Sequence, residues 1–137
     1  MKKIIIIFIV IILITIIPLI LAKKLTNKSY EIKTENIICI DGDTFKFEEN
    51  YYRLSYVDTP EYGEEKYYSS SDTTCALLKF EEKIKIKENG KDKYGRFLVE
   101  VFIGGESLNS ILVEYCLAKP FWTNTTLEIK KLYNLCK

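Results

Sequence analysis

An uncharged apolar segment of 19 residues, Ile4–Ala22, is the feature that most limits how this chain can fold. At about 1.5 Å per residue, a helix of that length nearly crosses the roughly 30 Å apolar core of a bilayer. Because the segment has no polar face for water, we expect a membrane anchor in residues 1–22. The alternative is a signal peptide cleaved near Ala22, although apolar signal regions are usually shorter, about 7–15 residues.

The rest of the chain is long enough for one domain and too short for two. Residues 23–29 are polar and indicate a short tether, which leaves residues 30–137 for the domain. With Lys2 and Lys3 set aside, 18 basic and 19 acidic side chains remain. Global charge therefore does not attract a polyanion, and any binding of nucleic acid depends on a local patch.

The chain has no histidine and four cysteines. The lack of histidine excludes Ser-His and Cys-His catalysis, so carboxylates, lysines and arginines must carry any chemistry. No CxxC pair is present, which disfavours a structural zinc site. An exported domain with four cysteines can form one or two disulfides with three complete pairings, and buried thiols are the equal alternative. The cysteines are Cys39, Cys75, Cys116 and Cys136.

Hydrophobic periodicity predicts three strands, a helix, two strands and two further helices. The strands are expected at 30–40, 44–48, 51–57, 83–87 and 97–103, and the helices at 72–82, 108–115 and 125–136. Five short antiparallel strands with a helix after the third are typical of a small Greek-key barrel. We therefore predict an α+β, mainly β fold: a five-stranded OB-type barrel with about three helices.

Acidic residues and arginines recur at the ends of the predicted strands. Asp43 begins the second strand and Asp58 ends the third, so both are expected at one rim of the barrel, with Glu61 close behind Asp58. Carboxylates bind hard divalent cations, and the arginines at 53 and 96 suit a phosphate because guanidinium donates a planar fork of hydrogen bonds. Each residue also has an ordinary interpretation as a turn, loop or salt-bridge residue.

Three motifs in order, DGDT at 41–44, VDTPE at 57–61 with an arginine five residues before its Asp, and DKYGR at 92–96, resemble the staphylococcal nuclease (thermonuclease) family. The resemblance covers roughly residues 37–119. Two departures are visible: the segment between Glu61 and Asp92 is shorter than in typical members, and the domain lacks a strong basic excess. Fewer neutralised phosphates imply weaker substrate binding with a shallower salt dependence.

The resemblance implies a calcium-dependent endonuclease that hydrolyses DNA and RNA and leaves 3′-phosphate ends. It assigns Ca²⁺ to Asp43, Asp58 and the carbonyl of Thr59, with Asp41 assisting from outside the ligand set. Glu61 is the implied general base. The remaining implied roles concern the substrate. Arg53 and Arg96 would contact the scissile phosphate, and Lys93 and Tyr94 would bind the neighbouring phosphate. Trp122 would stack on a base, or alternatively is an aromatic residue of the core.

Two other functions remain open from the sequence. One alternative is a non-catalytic OB module that binds single strands or a protein. The other is a structural membrane protein whose site is an inactive remnant of a catalytic one. A pure binder has no need for Asp43, Asp58 and Glu61 together, because they repel a polyanion. We expect the domain to be secreted, or anchored through residues 4–22 and facing outside the cytoplasm; no protein partner is inferred.

Overall fold

The computed structural model describes residues 12–17, 28–121 and 127–136. The domain is α+β and mainly sheet. Its strands are β1 (Ser29–Lys33), β2 (Ile37–Cys39), β3 (Thr44–Phe47), β4 (Asn50–Leu54), β5 (Val57–Asp58), β6 (Lys83–Lys91), β7 (Phe97–Ile103), β8 (Glu106–Ser107) and β9 (Lys119–Pro120). Its helices are α1 (Tyr67–Leu78), α2 (Leu108–Glu114) and α3 (Leu127–Tyr133), with 3₁₀ turns at Thr34–Asn36 and Asn134–Cys136.

The main sheet is an open ladder of seven strands, which is consistent with the predicted OB-type fold but has more strands than the five predicted. Its strands run in the order β1-β6-β7-β4-β3-β2, and β8 pairs with β7. The predicted first strand is divided into β1 and β2 by the turn at Thr34–Asn36. The reason is a contact with a distant part of the chain: the buried Thr34 hydroxyl donates to the carbonyl of Glu81 at 2.6 Å, which turns the backbone away from a continuous ladder. The two end strands are thus consecutive in the chain.

Strands β4 and β7 are parallel, whereas all pairings were predicted to be antiparallel. Parallel neighbours need a long connection, and the segment containing α1 and β6 supplies it. In this register Arg53 lies opposite Leu98, and the Ser55 amide donates to the Val99 carbonyl at 2.7 Å. The loop that ends at Arg96 therefore enters the sheet beside the end of β4.

The core follows the strand alternation. Ile84 and Ile86 of β6 are buried, whereas the lysines that alternate with them are exposed or half-buried. The rings of Phe45, Tyr52 and Phe97 stack across three strands. Ser107 caps α2 as predicted, since its hydroxyl accepts from the Ser110 amide. Helix α1 begins at Tyr67, five residues before the predicted start, because a left-handed turn at Lys66 opens the helix and its carbonyl accepts from the Ser70 amide.

One disulfide joins the sheet to a helix, and the other joins two helical regions near the C-terminus. Cys39 of β2 is bonded to Cys75 of α1, and Cys116 after α2 is bonded to Cys136 in the C-terminal turn. All four cysteines are paired, which resolves the pairing that the sequence left open.

Most of the predicted anchor and tether lies outside the described residues. Residues 12–17 are helical with exposed side chains. Among the residues that the structure describes, no helix is both long and apolar enough to cross a bilayer.

Candidate active site

The Asp41–Asp43 turn is held tightly against helix α1. The Asp43 amide donates to the Asp41 carboxylate at 3.0 Å, and the Thr74 hydroxyl of α1 donates to the Gly42 carbonyl at 2.7 Å. A Cβ atom at Gly42 would lie only 2.4 Å from the Ser70 Oγ. Glycine is therefore required here by close packing, and the turn that carries Asp43 is positioned by the helix.

Arg53 joins the two aspartates of the predicted metal set. Its Nη1 donates to Asp43 Oδ1, and its Nη2 donates to Asp58 Oδ1 at 2.8 Å. Asp43 also accepts from the Thr44 hydroxyl at 3.1 Å and from the Thr59 amide at 3.1 Å. The strands that were expected to bring these carboxylates to one rim do so, and a guanidinium group lies between them.

The positive groups around the Asp43 carboxylate do not fully offset the cost of burying its charge. Its side chain is 4 % exposed, whereas that of Asp58 is 48 % exposed. Desolvation raises the pKa of Asp43 to about 6, even though the Arg53 guanidinium and the Thr59 amide act to lower it. A buried carboxylate that remains under-compensated, next to a second carboxylate open to water, suits a hard cation with several water ligands.

The described residues contain no group of three acidic or cysteine side chains placed to hold a metal ion. The predicted set has only two carboxylates, Asp43 and Asp58, with the Thr59 carbonyl as its third member. A cation here would therefore depend on water for most of its ligands. The chemistry of the donors fits calcium, which accepts carbonyl and water oxygens together with carboxylates.

The second arginine is positioned by its own hairpin loop. The Asp92 carboxylate accepts from the amides of Tyr94 and Arg96 and from the Arg96 Nε at 2.7 Å. Partial burial acts to raise the pKa of Asp92, but these hydrogen bonds dominate and lower it below its ordinary value. The Arg96 guanidinium lies 5.5 Å from the centre of the Tyr94 ring. The loop thus presents a cation beside an exposed aromatic ring.

One cavity of about 640 Å³ collects the predicted substrate groups. Its lining includes Arg53, Lys93, Tyr94, Arg96 and Phe121. Both arginines therefore line the same cavity, together with a lysine, three aromatic residues and the Asp92 carboxylate that binds Arg96. The cavity is positive and aromatic, which is the combination that binds single-stranded nucleic acid.

Phe121 lines this cavity, although the motifs did not predict it as a site residue. It is 53 % exposed, and its amide donates to the Tyr56 carbonyl at 2.7 Å. Trp122, the predicted base-stacking residue, lies outside the described residues. The only sequence signal for Phe121 is that it neighbours Trp122 and follows the short strand β9.

Glu61 is exposed and does not line the cavity. Its amide donates to the Glu64 carboxylate at 2.9 Å. Within the described part of the chain, its own carboxylate has no hydrogen-bond or ion-pair partner, so it is open to water. Its role as a base stays a prediction.

The domain is thus a small α+β module in which two arginines line an open cavity suited to a phosphate group, and one of them, Arg53, is paired with Asp43 and Asp58. Residues 51–136, more than half of the chain, match the family model described as staphylococcal nuclease homologue. The chain belongs to this family, which confirms the resemblance and places the protein among nuclease-type domains. The match begins after the Asp41–Asp43 turn, which Arg53 links to the matched region.

Proposed function

We propose that this protein is a calcium-dependent endonuclease that hydrolyses DNA and RNA by attack of water and leaves 3′-phosphate ends. The observation that carries the proposal is the double role of Arg53. Its guanidinium pairs with Asp43 and Asp58 and also lines the cavity that contains Arg96. A phosphate in that cavity would therefore meet both arginines beside the acidic pair.

The arginines stabilise the negative charge that develops on the phosphate oxygens. Donors held in place before the reaction commonly contribute the largest catalytic term, about 2.7–4 kcal/mol for one donor. Asp92 holds Arg96 in position, and the two aspartates hold Arg53. Lysine at either position would keep the charge but lose the planar fork of donors.

Asp43, Asp58 and the Thr59 carbonyl would hold Ca²⁺, and Asp41 supports the turn that carries Asp43. The ion, when bound, supplies positive charge next to the reacting phosphate. Glu61 takes the proton from the attacking water or orients that water, and its exposed carboxylate is free to do so. Lys93, Tyr94 and an aromatic ring at Phe121 or Trp122 hold the neighbouring nucleotides.

Export of the domain is part of the proposal. All four cysteines form disulfides, which persist in oxidising compartments and are rare in reducing ones. A membrane anchor or a signal peptide in residues 1–22 would deliver the domain there. Calcium sites of modest affinity also need an environment rich in that ion.

The test is cleavage by the full chain, in mild detergent, of a supercoiled plasmid and a single-stranded RNA, with Ca²⁺ or with EGTA. We expect Ca²⁺-dependent cleavage with 3′-phosphate ends. Glu61→Gln should lower kcat by about 10²–10⁴-fold with an unchanged melting temperature. Glu65→Gln, an exposed glutamate of the same loop, serves as the matched control and should keep full activity.

Cleavage that survives both EGTA and Glu61→Gln would refute this mechanism. Binding of nucleic acid without turnover under any metal would favour the non-catalytic module. Arg96→Lys separates the two further, because it should reduce kcat far more than affinity if the guanidinium acts on the transition state.

A further inference from the structure

Three tyrosine rings contact one another at the surface: Tyr62 lies in the loop after Glu61, and Tyr67 and Tyr68 begin helix α1. The ring centres of Tyr62 and Tyr67 are 5.5 Å apart, those of Tyr67 and Tyr68 are 5.2 Å apart, and those of Tyr62 and Tyr68 are 6.4 Å apart, all edge to face. Tyr62 is 78 % exposed and Tyr68 is 66 % exposed. Aromatic rings of this size contribute most to binding energy when a ligand covers them. A group of exposed rings that are ordered by contact with one another therefore indicates a binding surface.

The loop beneath these rings is held by its own hydrogen bonds. The Glu64 amide donates to the Glu61 carbonyl at 2.9 Å, and the Tyr67 amide donates to the Glu64 carbonyl at 3.3 Å. The Lys66 ammonium donates to the Cys116 carbonyl at 3.4 Å, which ties the loop to the segment after α2. Rings on an ordered loop lose little freedom when a ligand binds.

A continuous surface joins the rings to the candidate active site. Asp58 is paired across β5 and β9 with Lys119. Lys119, Pro60 and Lys66 line a second cavity of about 360 Å³, and Lys66 directly precedes Tyr67. A strand that leaves the reaction centre past Asp58 therefore meets two lysines and then the rings.

We propose that Tyr62, Tyr67 and Tyr68 form a stacking platform for unpaired bases of the nucleic-acid strand that is being cleaved. The proposal rests on the proposed function and extends it to a second binding region. Stacking is the interaction that exposed rings offer, and every base has a face that can accept it. Bases inside a duplex are already stacked, so the platform favours single strands or locally opened duplex.

The charges beside the platform specify bases rather than phosphates as its ligand. Glu64 and Glu65 line the same cavity as Lys66 and Lys119, so the acidic and basic side chains oppose each other. Phosphate binding there releases few counterions, and the contribution of the platform should hardly change with salt concentration. Phosphate attraction stays with the arginines of the larger cavity.

The test is fluorescence anisotropy of an oligothymidine of about 20 nucleotides with the full chain, in EGTA to prevent turnover and again with Ca²⁺. Tyr68→Ala and Tyr62→Ala should each raise Kd about ten-fold, while Tyr68→Phe and Tyr62→Phe, which keep the ring, should stay within about two-fold of the parent. Tyr115→Ala removes a tyrosine that is 70 % exposed outside the platform and is the matched control. Binding of a blunt duplex of the same length should change in none of them.

Equal losses for single strand and duplex, or a loss that disappears at high salt, would overturn the platform. A parent chain that binds no oligothymidine under either condition would also overturn it. Binding to phosphatidylcholine vesicles is measured in parallel, and alanine variants that lose only this binding would likewise overturn the platform. Cleavage assays on the same proteins separate the two proposals. Binding that depends on the rings, without any cleavage, would support the platform and refute the nuclease function. Normal cleavage with unaltered binding in every variant would support the nuclease function and refute the platform.

Discussion

Replacing Asp43 with asparagine should stabilise the metal-free protein near neutral pH while abolishing calcium-dependent activity. Burial raises the pKa of Asp43 from its ordinary value of 3.8 to about 6. The folded state therefore holds the proton more tightly than the unfolded state does. The stability that this residue contributes is fully present below 3.8 and is lost as the pH rises through about 6.

The size of the effect follows from the same two values. Their difference corresponds to roughly 3 kcal/mol of unfolding free energy above pH 6, and the side chain is too buried for solvent to reduce it much. Both Asp43 oxygens accept hydrogen bonds, whereas asparagine has only one oxygen. The lost hydrogen bond reduces the gain in unfolding free energy by about 1 kcal/mol. We expect a net gain of about 2 kcal/mol near pH 7.5 and none near pH 4.

Urea unfolding in EGTA at these two pH values measures the gain directly. Asp41→Asn is the matched control, because its Oδ1 can still accept from the Asp43 amide, and its effect near pH 7.5 should be smaller than that of Asp43→Asn. Ca²⁺ should then raise the stability of the parent chain but leave Asp43→Asn unchanged. Equal or lower stability of Asp43→Asn at both pH values would refute the argument that burial makes this charge unfavourable.

Three further outcomes follow from the structure. Gly42→Ala should cost about 1–3 kcal/mol in urea unfolding, because its Cβ would meet Ser70 Oγ at 2.4 Å; no loss would mean that helix α1 moves away freely. Calcium affinity, measured by calorimetry, should fall as the pH drops through about 6, since protons compete for Asp43, and a flat profile would argue against that ligand. Converting Cys116 and Cys136 to alanine should lower stability by about 3 kcal/mol, because the bond closes a loop of 20 residues, and an unchanged unfolding midpoint would contradict this.

Local pattern was enough to predict much of the fold. Alternation located β3, β6 and β7, and Ser107 marked the start of α2. The pattern failed where a distant partner decides the backbone. The Thr34 hydroxyl reaches a carbonyl 47 residues away, which divides the first strand, and no periodicity in residues 30–40 shows that partner.

The motifs predicted which residues form the site, and their catalytic and metal-binding roles stay predictions; the family match confirms only the family. Strand ends in one meander had to bring Asp43 and Asp58 together, because their separation along the chain is short. The parallel pairing of β4 with β7, which places Arg53 and Arg96 on one cavity, was not predictable, because it depends on a crossover through α1 and β6.

By itself, the sequence determined the chemical groups available, since composition excludes histidine chemistry and supplies carboxylates and guanidinium groups at strand ends. Only the tertiary structure decided their environments: the burial that raises the pKa of Asp43, the pairing of the four cysteines, and the clustering of three exposed tyrosine rings. The physical reason is that residue identity and local spacing act over a few positions, whereas desolvation and contact depend on neighbours that are remote in the chain.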